Sequence, residues 1–263
     1  MDSRPQSENG SSLTRVPVTV VIAAHNEAAN IVACIDSVRW ANEIIVVEND
    51  SRDETADLAE SAGARVLRNP FNTIGGQRNA AIEHATSQWV LVVDADERGS
   101  RELADEISRV IAAGRNLDAY RIPRRNFFLG KEIRHGGWDR DKPVRLFRST
   151  LRYSASRVHE HVEVPGEAGE LTSQLLHSPY ASIDQYFEKL DRYSAWWAED
   201  RHERGRRAGA ATVVLRPPLR FLSMYVLKAG FLDGAAGAVL ACMASTSVMA
   251  KYARLWALGR TRL

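Results

Sequence analysis

The chain has 263 residues, 44% hydrophobic and 26% charged, with 35 Lys and Arg, 33 Asp and Glu, and only two cysteines. This length and balance accommodate one large globular domain with an appendage and exclude fibrous, intrinsically disordered and disulfide-stapled classes. The near-neutral total hides an asymmetry: residues 201–263 hold eleven Lys and Arg against two acids, so the C-terminal end suits an anionic partner.

Residues 1–16 are polar, contain no apolar run that could form a signal peptide, and read as a disordered lead-in. The two cysteines, far apart in sequence, fit a reducing compartment. Residues 18–24 form a continuous apolar stretch, VTVVIAA. A helical pattern over about 27–40 follows, with Ile31, Cys34, Ile35 and Val38 on one face. The alternation recurs as EIIVV (43–47), a helix from about Asp53, ARVLR (64–68), a helix over 75–84, and WVLVV (89–93). Four short apolar strands interleaved with helices predict a doubly wound α/β fold with a largely parallel sheet. Ligands of such sheets bind beyond the carboxyl ends of the strands. Those ends are polar here: His25-Asn26-Glu27, Glu48-Asn49-Asp50-Ser51 and Asp94-Ala95-Asp96-Glu97. No GxGxxG follows the first strand and no Walker loop is present, so hydride transfer and P-loop chemistry drop away.

Asp94 and Asp96 at the end of a buried strand can hold a hard divalent cation, Mn²⁺ or Mg²⁺, that bridges a diphosphate. Acids at such a position also cap helices, and the polar ends of the other strands decide for the cation. Gln77-Arg78-Asn79 opens a helix after Gly75-Gly76, where an Arg and free backbone N–H groups suit a diphosphate.

Beyond Leu117 the pattern changes to short β-like pieces, DAYRIPRRNFF, PVRLFRS and HVEVPG, separated by turns such as His135-Gly136-Gly137-Trp138. Trp138 is a candidate for stacking on a sugar face. His159 and His161 sit on one face of a β-like piece with no Cys partner, which argues against zinc; His177 is a candidate further ligand of the cation bound at Asp94 and Asp96. A helix is predicted over 183–207, with Tyr186, Leu190, Tyr193 and Trp197 along one face, and Pro217-Pro218 is expected to interrupt helix. The stretch 219–256 is long and apolar but carries Lys228, Asp233 and Lys251. Its 231–250 portion, rich in Ala, Gly and Ser, is expected to lie on or dip into a membrane surface rather than span it. Trp196 and Trp197, followed by Arg201, Arg204, Arg206 and Arg207, fit interfacial membrane binding.

The runs VTVVIAAHNEAANIVACIDSV, IIVVENDSRDET and GGQRNAAIEHATSQWVLVVDADE resemble the nucleotide-sugar half of glycosyltransferase family 2, which has the GT-A fold. Within that family the chain resembles the bacterial lipopolysaccharide-core β-glucosyltransferase group, with HEHVEV, LLHSPY and YVLKAGFLDGAAG sharing the group's texture. The resemblance implies a GT-A catalytic domain over 17–180, with a nucleotide-sugar half at 17–116 and an acceptor half at 117–180, and a helical, basic, membrane-associating extension over 181–263. It makes Ala24, Asn26 and Glu27 part of the wall around base and ribose. Glu48 replaces the usual first aspartate of the second-strand motif, and Asn49 stands at the second acidic position. Gln77, Arg78, Asp94 and His159 join the substrate site, and Asp94, Asp96 and His177 the metal site. An inverting transfer needs a base for the acceptor hydroxyl. Glu160, in the recurring HE element, is the first choice, and Asp139 and Asp141 are the alternatives. The implied activity is inverting, metal-dependent transfer of a hexose, glucose, from a UDP-sugar to a lipopolysaccharide-core or related glycolipid, on the cytoplasmic face of the inner membrane. Polyprenyl phosphate, protein or capsule acceptors are alternatives within the fold. A non-catalytic nucleotide-sugar sensor or membrane scaffold is the alternative from another class. Nucleic acid is not expected as a partner, because the C-terminal arginines lie beside apolar helices.

Overall fold

The computed structural model describes residues 15–68, 73–114, 116–154 and 160–260, so the expected lead-in falls almost wholly outside the described residues. Strands β1 (Val16–Ala24), β2 (Ala41–Glu48), β3 (Arg65–Arg68) and β4 (Trp89–Asp94) alternate with helices α1 (Ile31–Ser37), α2 (Thr55–Ser61) and α3 (Ile74–Glu83), as the apolar runs predict. Then follow β5 (Glu97–Gly99), α4 (Arg101–Ala112), β6 (Ala119–Arg121), β7 (Arg124–Phe128), β8 (Lys131–Ile133), β9 (Val144–Arg148), β10 (Gly169–Glu170) and β11 (Leu175–His177). A seven-stranded sheet has the order β10-β6-β9-β4-β1-β2-β3; β1 to β4 are mutually parallel, and β9 runs antiparallel to both β4 and β6. The fold is thus GT-A: a Rossmann-like, mostly parallel sheet flanked by helices, with a helical C-terminal extension.

Alternation along β1 divides the core. Val18, Val20, Ile22 and Ala24 face α1, α2 and α4, whereas Val21 faces α3 and shares a second cluster with Ile45, Val90, Val92 and Phe147. The strand order turns back at β1, and register aligns Ala23 with Asp94 and Ala24 with Glu48, so three carboxyl ends meet at one crevice. A smaller sheet, β5-β11-β7-β8, closes over that crevice. The expected halves interlock: β6 and β9 extend the main sheet beside β4, while β5 from the first half pairs with β11 from the second.

Three helices complete the chain: α5 (Ile183–Glu203), α6 (Ala210–Leu222) and α7 (Gly234–Leu258), with a π-helical turn at Ser223–Leu227 and a 3₁₀ turn at Gly230–Asp233 before α7. The prolines do not interrupt helix as expected. Helix α6 runs through Pro217 and Pro218; Pro217 is its buried residue, and the Pro217 carbonyl accepts a hydrogen bond from Ser245 Oγ of α7 at 2.8 Å. Tertiary packing outweighs the lost helix bonds there. The long apolar stretch is likewise divided. Ala229 adopts a left-handed conformation (φ 54°), and Gly230 and Gly237 approach so closely that a Cβ on Gly237 would lie 1.9 Å from the Gly230 carbonyl oxygen. Residues 230–258 include one helix long and apolar enough to cross a membrane by length and composition, yet it packs along α5 and α6.

Asp233, the acid embedded in this apolar stretch, is a buried anchor. Its carboxylate accepts from the Arg134 backbone N–H at 3.2 Å, the His135 N–H at 2.9 Å and His135 Nδ1 at 3.0 Å, and its carbonyl accepts from Lys131 Nζ at 2.8 Å. These bonds fasten the start of α7 to the β7–β8 hairpin, under a shared core of Phe128, Ile133, Tyr186, Met224 and Leu240. Asp233→Ala leaves buried N–H groups without an acceptor and is expected to destabilise the protein by about 2–4 kcal/mol in urea unfolding, with Asp233→Asn recovering part of the loss.

Candidate active site

The carboxyl edge of the sheet is built largely from self-satisfying turns. The Asn26 N–H donates to Ser51 Oγ at 2.9 Å, and Asn26 Oδ1 accepts from the Arg52 N–H at 2.8 Å. Glu48 is buried and accepts from the Ser51 N–H, and the Asn49 N–H donates to the Ala24 carbonyl at 3.1 Å. Gln77 Nε2 bridges the carbonyls of Ala24 (3.2 Å) and Val47 (2.7 Å), so this expected substrate residue ties α3 to the ends of β1 and β2 while also lining the cleft. Glu27 faces the cleft. Burial pushes its carboxyl up from the ordinary value, against the opposing effects of a hydrogen bond from Asn30 and the nearby Lys189 charge.

Asp94 ends β4 inside a ring of arginines. Oδ1 accepts from Arg78 Nη2 at 2.5 Å, Oδ2 accepts from Arg124 Nη2 at 3.0 Å, and Arg145 donates to the same carboxylate. Glu97, fully buried, accepts from Arg124 Nε at 2.5 Å and Arg145 Nη2 at 3.1 Å, and its Oε2 accepts the Asp94 N–H at 2.8 Å. Burial would raise the Asp94 pKa, but Arg145, Arg78 and Arg124 outweigh it and hold the carboxyl well below its usual range. Both Asp94 oxygens accept from guanidinium groups where Asp94 lines the cleft, and Asp96, two residues on, lines the same cleft beside His177 and Lys189. Arg124, Arg145 and Glu97 are absent from the sequence-derived site. Their signal is a charged residue inside an apolar strand, as in VRLFR of β9.

His177 is held in one tautomer. The Trp138 carbonyl can only accept, so the Asn126 amide nitrogen faces it at 2.7 Å and Asn126 Oδ1 faces His177 Nδ1 at 2.7 Å. Nδ1 therefore carries the proton, and Nε2 presents its lone pair 3.7 Å from Asp96 Oδ1. Burial, with Arg124 nearby, pushes the ring pKa down and keeps it neutral, as a metal ligand must be. Among the described residues no three His, Cys, Asp or Glu side chains converge as a metal cage on their own. Asp96 and His177 are a two-ligand donor set of the kind that a diphosphate completes.

The cleft, about 740 Å³, has the strand ends on one side and α5 on the other. Lys189 Nζ lies 3.4 Å from Asp96 Oδ2 and 3.9 Å from Glu27 Oε1. Arg192, Tyr193, Trp196 and Trp197 continue the α5 wall, and Trp197 meets Tyr252 of α7 edge-on at 5.0 Å. The Trp196-Trp197 stretch, expected at a membrane interface, thus faces the cleft.

Glu160 lines the same cleft as Asp96. Its Oε1 accepts from Arg78 Nη1 at 3.2 Å, and it lines both this cleft and an adjoining cavity of about 840 Å³. Gly75 permits the approach: a Cβ there would sit 3.0 Å from the Ser154 carbonyl and 3.4 Å from Glu160 Cβ. The alternative bases lie elsewhere. Asp139 is half exposed beside Arg140, and Asp141 accepts from Arg124 Nη1 at 2.9 Å; neither lines the cleft. Trp138 lines a different cavity, against the C-terminal helices. His159 lies outside the described residues.

The profile described as Glycosyl transferase family 2 matches residues 19–157. Lipopolysaccharide core biosynthesis glycosyltransferase LpsC of Rhizobium meliloti (strain 1021) is 28% identical over 256 residues, covering 92% of this chain and 95% of that protein. An uncharacterized glycosyltransferase of Rickettsia typhi is 28% identical over 259 residues, covering 93% of this chain and 86% of that protein. Among solved structures, glucosyl-3-phosphoglycerate synthase from Mycobacterium tuberculosis, crystallised with Mn²⁺, uridine diphosphate and phosphoglyceric acid, aligns over 42% of this chain and 43% of that one. The identity is 22% and the TM-score 0.36.

Arg145 is the most buried of the three guanidinium groups, and it pairs with the fully buried Glu97 and the partly buried Asp94. Arg145→Met is expected to lower stability by about 3–5 kcal/mol, because it leaves buried charge unpaired. Arg39→Met, which breaks an exposed pair with Asp36, is expected to cost less than about 1 kcal/mol in the same denaturant titration.

Proposed function

The chain belongs to glycosyl transferase family 2, and from that premise we propose that it is an inverting, metal-dependent hexosyltransferase. It moves glucose from a UDP-sugar to a lipopolysaccharide-core or related glycolipid acceptor. The observation that carries this reading is the convergence on one cleft of Asp96 beside the His177 Nε2 lone pair, of Glu160, and of Arg78, which joins Asp94 to Glu160. The family and the name of the Rhizobium relative support the transferase class and the lipopolysaccharide-core acceptor.

In this reading Asn26, Glu27, Glu48 and Asn49 surround the nucleoside, and Asp96 and His177 hold Mn²⁺ or Mg²⁺. The cation supplies positive charge against which the diphosphate departs. Arg78, paired with Asp94, and Lys189, beside Asp96, both line the cleft and place fixed positive charge where the leaving group develops negative charge. Glu160 takes the proton of the acceptor hydroxyl as that oxygen bonds to the anomeric carbon, and the bond from that carbon to the diphosphate oxygen breaks on the opposite face. Arg78 positions the Glu160 carboxylate through the 3.2 Å contact.

The C-terminal helices serve the membrane side. Residues 204–232 contain six Lys and Arg and no acid. Val214, Leu215, Leu219 and Leu222 of α6, with Val226 and Leu227 after it, are exposed. An apolar face rimmed by cations fits the interface of an anionic bilayer on its cytoplasmic side. In this reading α6 and its following turn join the Trp196 end of α5, which is also exposed, at the membrane.

Nucleotide release from UDP-glucose with Mn²⁺ and a membrane glycolipid extract tests the assignment. Chelator and Asp96→Ala are expected to abolish acceptor-dependent release, and Glu160→Gln to lower kcat by about 100-fold or more while UDP binding persists. Tight UDP-sugar binding without turnover under any extract favours the sensor reading instead. Sedimentation with phosphatidylglycerol vesicles is expected to recover the wild type in the pellet at low salt. Leu215→Glu with Leu219→Glu leaves the protein in the supernatant with its UDP affinity unchanged.

A further inference from the structure

Between α5, the α6 turn and α7 lies a further cavity, of about 540 Å³, a volume typical of small-molecule sites. Lys189, Arg220 and Lys251 line it, and no Asp or Glu does. Trp138, Tyr180 and Tyr193 supply aromatic faces, and most of the remaining wall is aliphatic. Lys189 is accounted for by Asp96 and Glu27, but the Arg220 and Lys251 side chains make no ion pair or hydrogen bond among the described residues. Burial pushes the Lys251 ammonium pKa down, and the Arg220 charge pushes it further. Two like charges, Lys251 partly buried and Arg220 exposed, thus line one acid-free cavity, and their mutual repulsion is relieved by an anion placed between them.

Position adds to chemistry. Lys189, Tyr193 and Lys251 line both this cavity and the cleft that holds Asp96, so the two spaces adjoin along one wall. On its other side Arg220 belongs to α6 and is flanked in sequence by the exposed Leu219 and, two residues on, Leu222. The cavity therefore lies between an exposed apolar face and the transfer cleft.

We propose that this cavity binds the phosphate-bearing head of an amphiphilic acceptor, with Arg220 and Lys251 on the phosphate. Trp138 and Tyr193 pack on the adjoining sugar or acyl portion, and the reacting hydroxyl passes the Lys189 wall into the cleft. This rests on the transferase reading for the word acceptor; the anion site itself stands on the cavity.

The probes are monomeric dodecyl phosphate, dodecyl maltoside and inorganic phosphate, each titrated into the full chain and followed by tryptophan fluorescence. Dodecyl phosphate is expected to bind at least about tenfold more tightly than either of the others, and Lys251→Met or Arg220→Met to weaken it about tenfold, with Lys251→Arg restoring it. The affinity for UDP with Mn²⁺ in Arg220→Met, a residue that lines this cavity and not the cleft, stays within about twofold, which also reports that the variant is folded. Equal binding of dodecyl phosphate and dodecyl maltoside overturns the anion site, and equal binding of inorganic and dodecyl phosphate overturns the amphiphile. A parallel loss of UDP affinity in Arg220→Met assigns these cations to the donor and overturns the proposal. Failure of UDP to bind the wild type, with dodecyl phosphate still bound, sinks the transferase reading and leaves the anion site standing.

Discussion

The carboxylate of Asp94 is the group on which the site's geometry depends. It stands at the end of a strand buried on both faces and is tolerated there because Arg78, Arg124 and Arg145 surround it, each brought from a different element. Desolvating a carboxylate costs several kcal/mol, and only close, well-oriented cations offset that. The same three arginines then organise their other partners: Glu97 beneath, Asp141 at one side and Glu160 at the cleft. One partly buried acid thereby links helix α3, hairpin β7–β8 and strand β9, and through Arg78 reaches Glu160.

Asp94 and Asp96 line one cleft in different settings: Asp94 within the arginine network, and Asp96, in the following turn, beside His177 and Lys189. The imidazole is oriented from behind by Asn126 and the Trp138 carbonyl, so a tautomer suited to ligation is selected before any ligand arrives. The C-terminal helices are equally part of the cleft. Asp233 anchors α7 to the β7–β8 hairpin, α5 delivers Lys189 to Asp96, and the apolar surface they leave uncovered is concentrated on α6 and its turn.

Much of this was legible in the chain itself. Apolar runs and their polar carboxyl ends mark β1, β2 and β4 and the crevice they share, since burial on both faces requires continuous hydrophobicity. Asp96, His177 and Glu160 stand out by type and place. The clamp on Asp94 was not legible, because Arg124 and Arg145 are distant in sequence and a lone arginine in a short strand looks like an edge residue. The helical extension misled at one point: Pro217 and Pro218 look like a break, yet packing against α7 carries the helix through them. Trp196 and Trp197, which look interfacial, line the cleft, and Trp196 is at the same time exposed. Periodicity gives the face of a helix but not its partner.

The most direct measurement of the central claim is calorimetric titration of UDP with and without Mn²⁺ into the wild type, Asp96→Ala and His177→Ala. Cation and nucleotide are predicted to reinforce each other's binding by at least about tenfold in the wild type and to bind independently of each other in both variants. UDP affinity that is indifferent to Mn²⁺ in the wild type, or coupling that survives both substitutions, would contradict a metal-diphosphate site at Asp96 and His177.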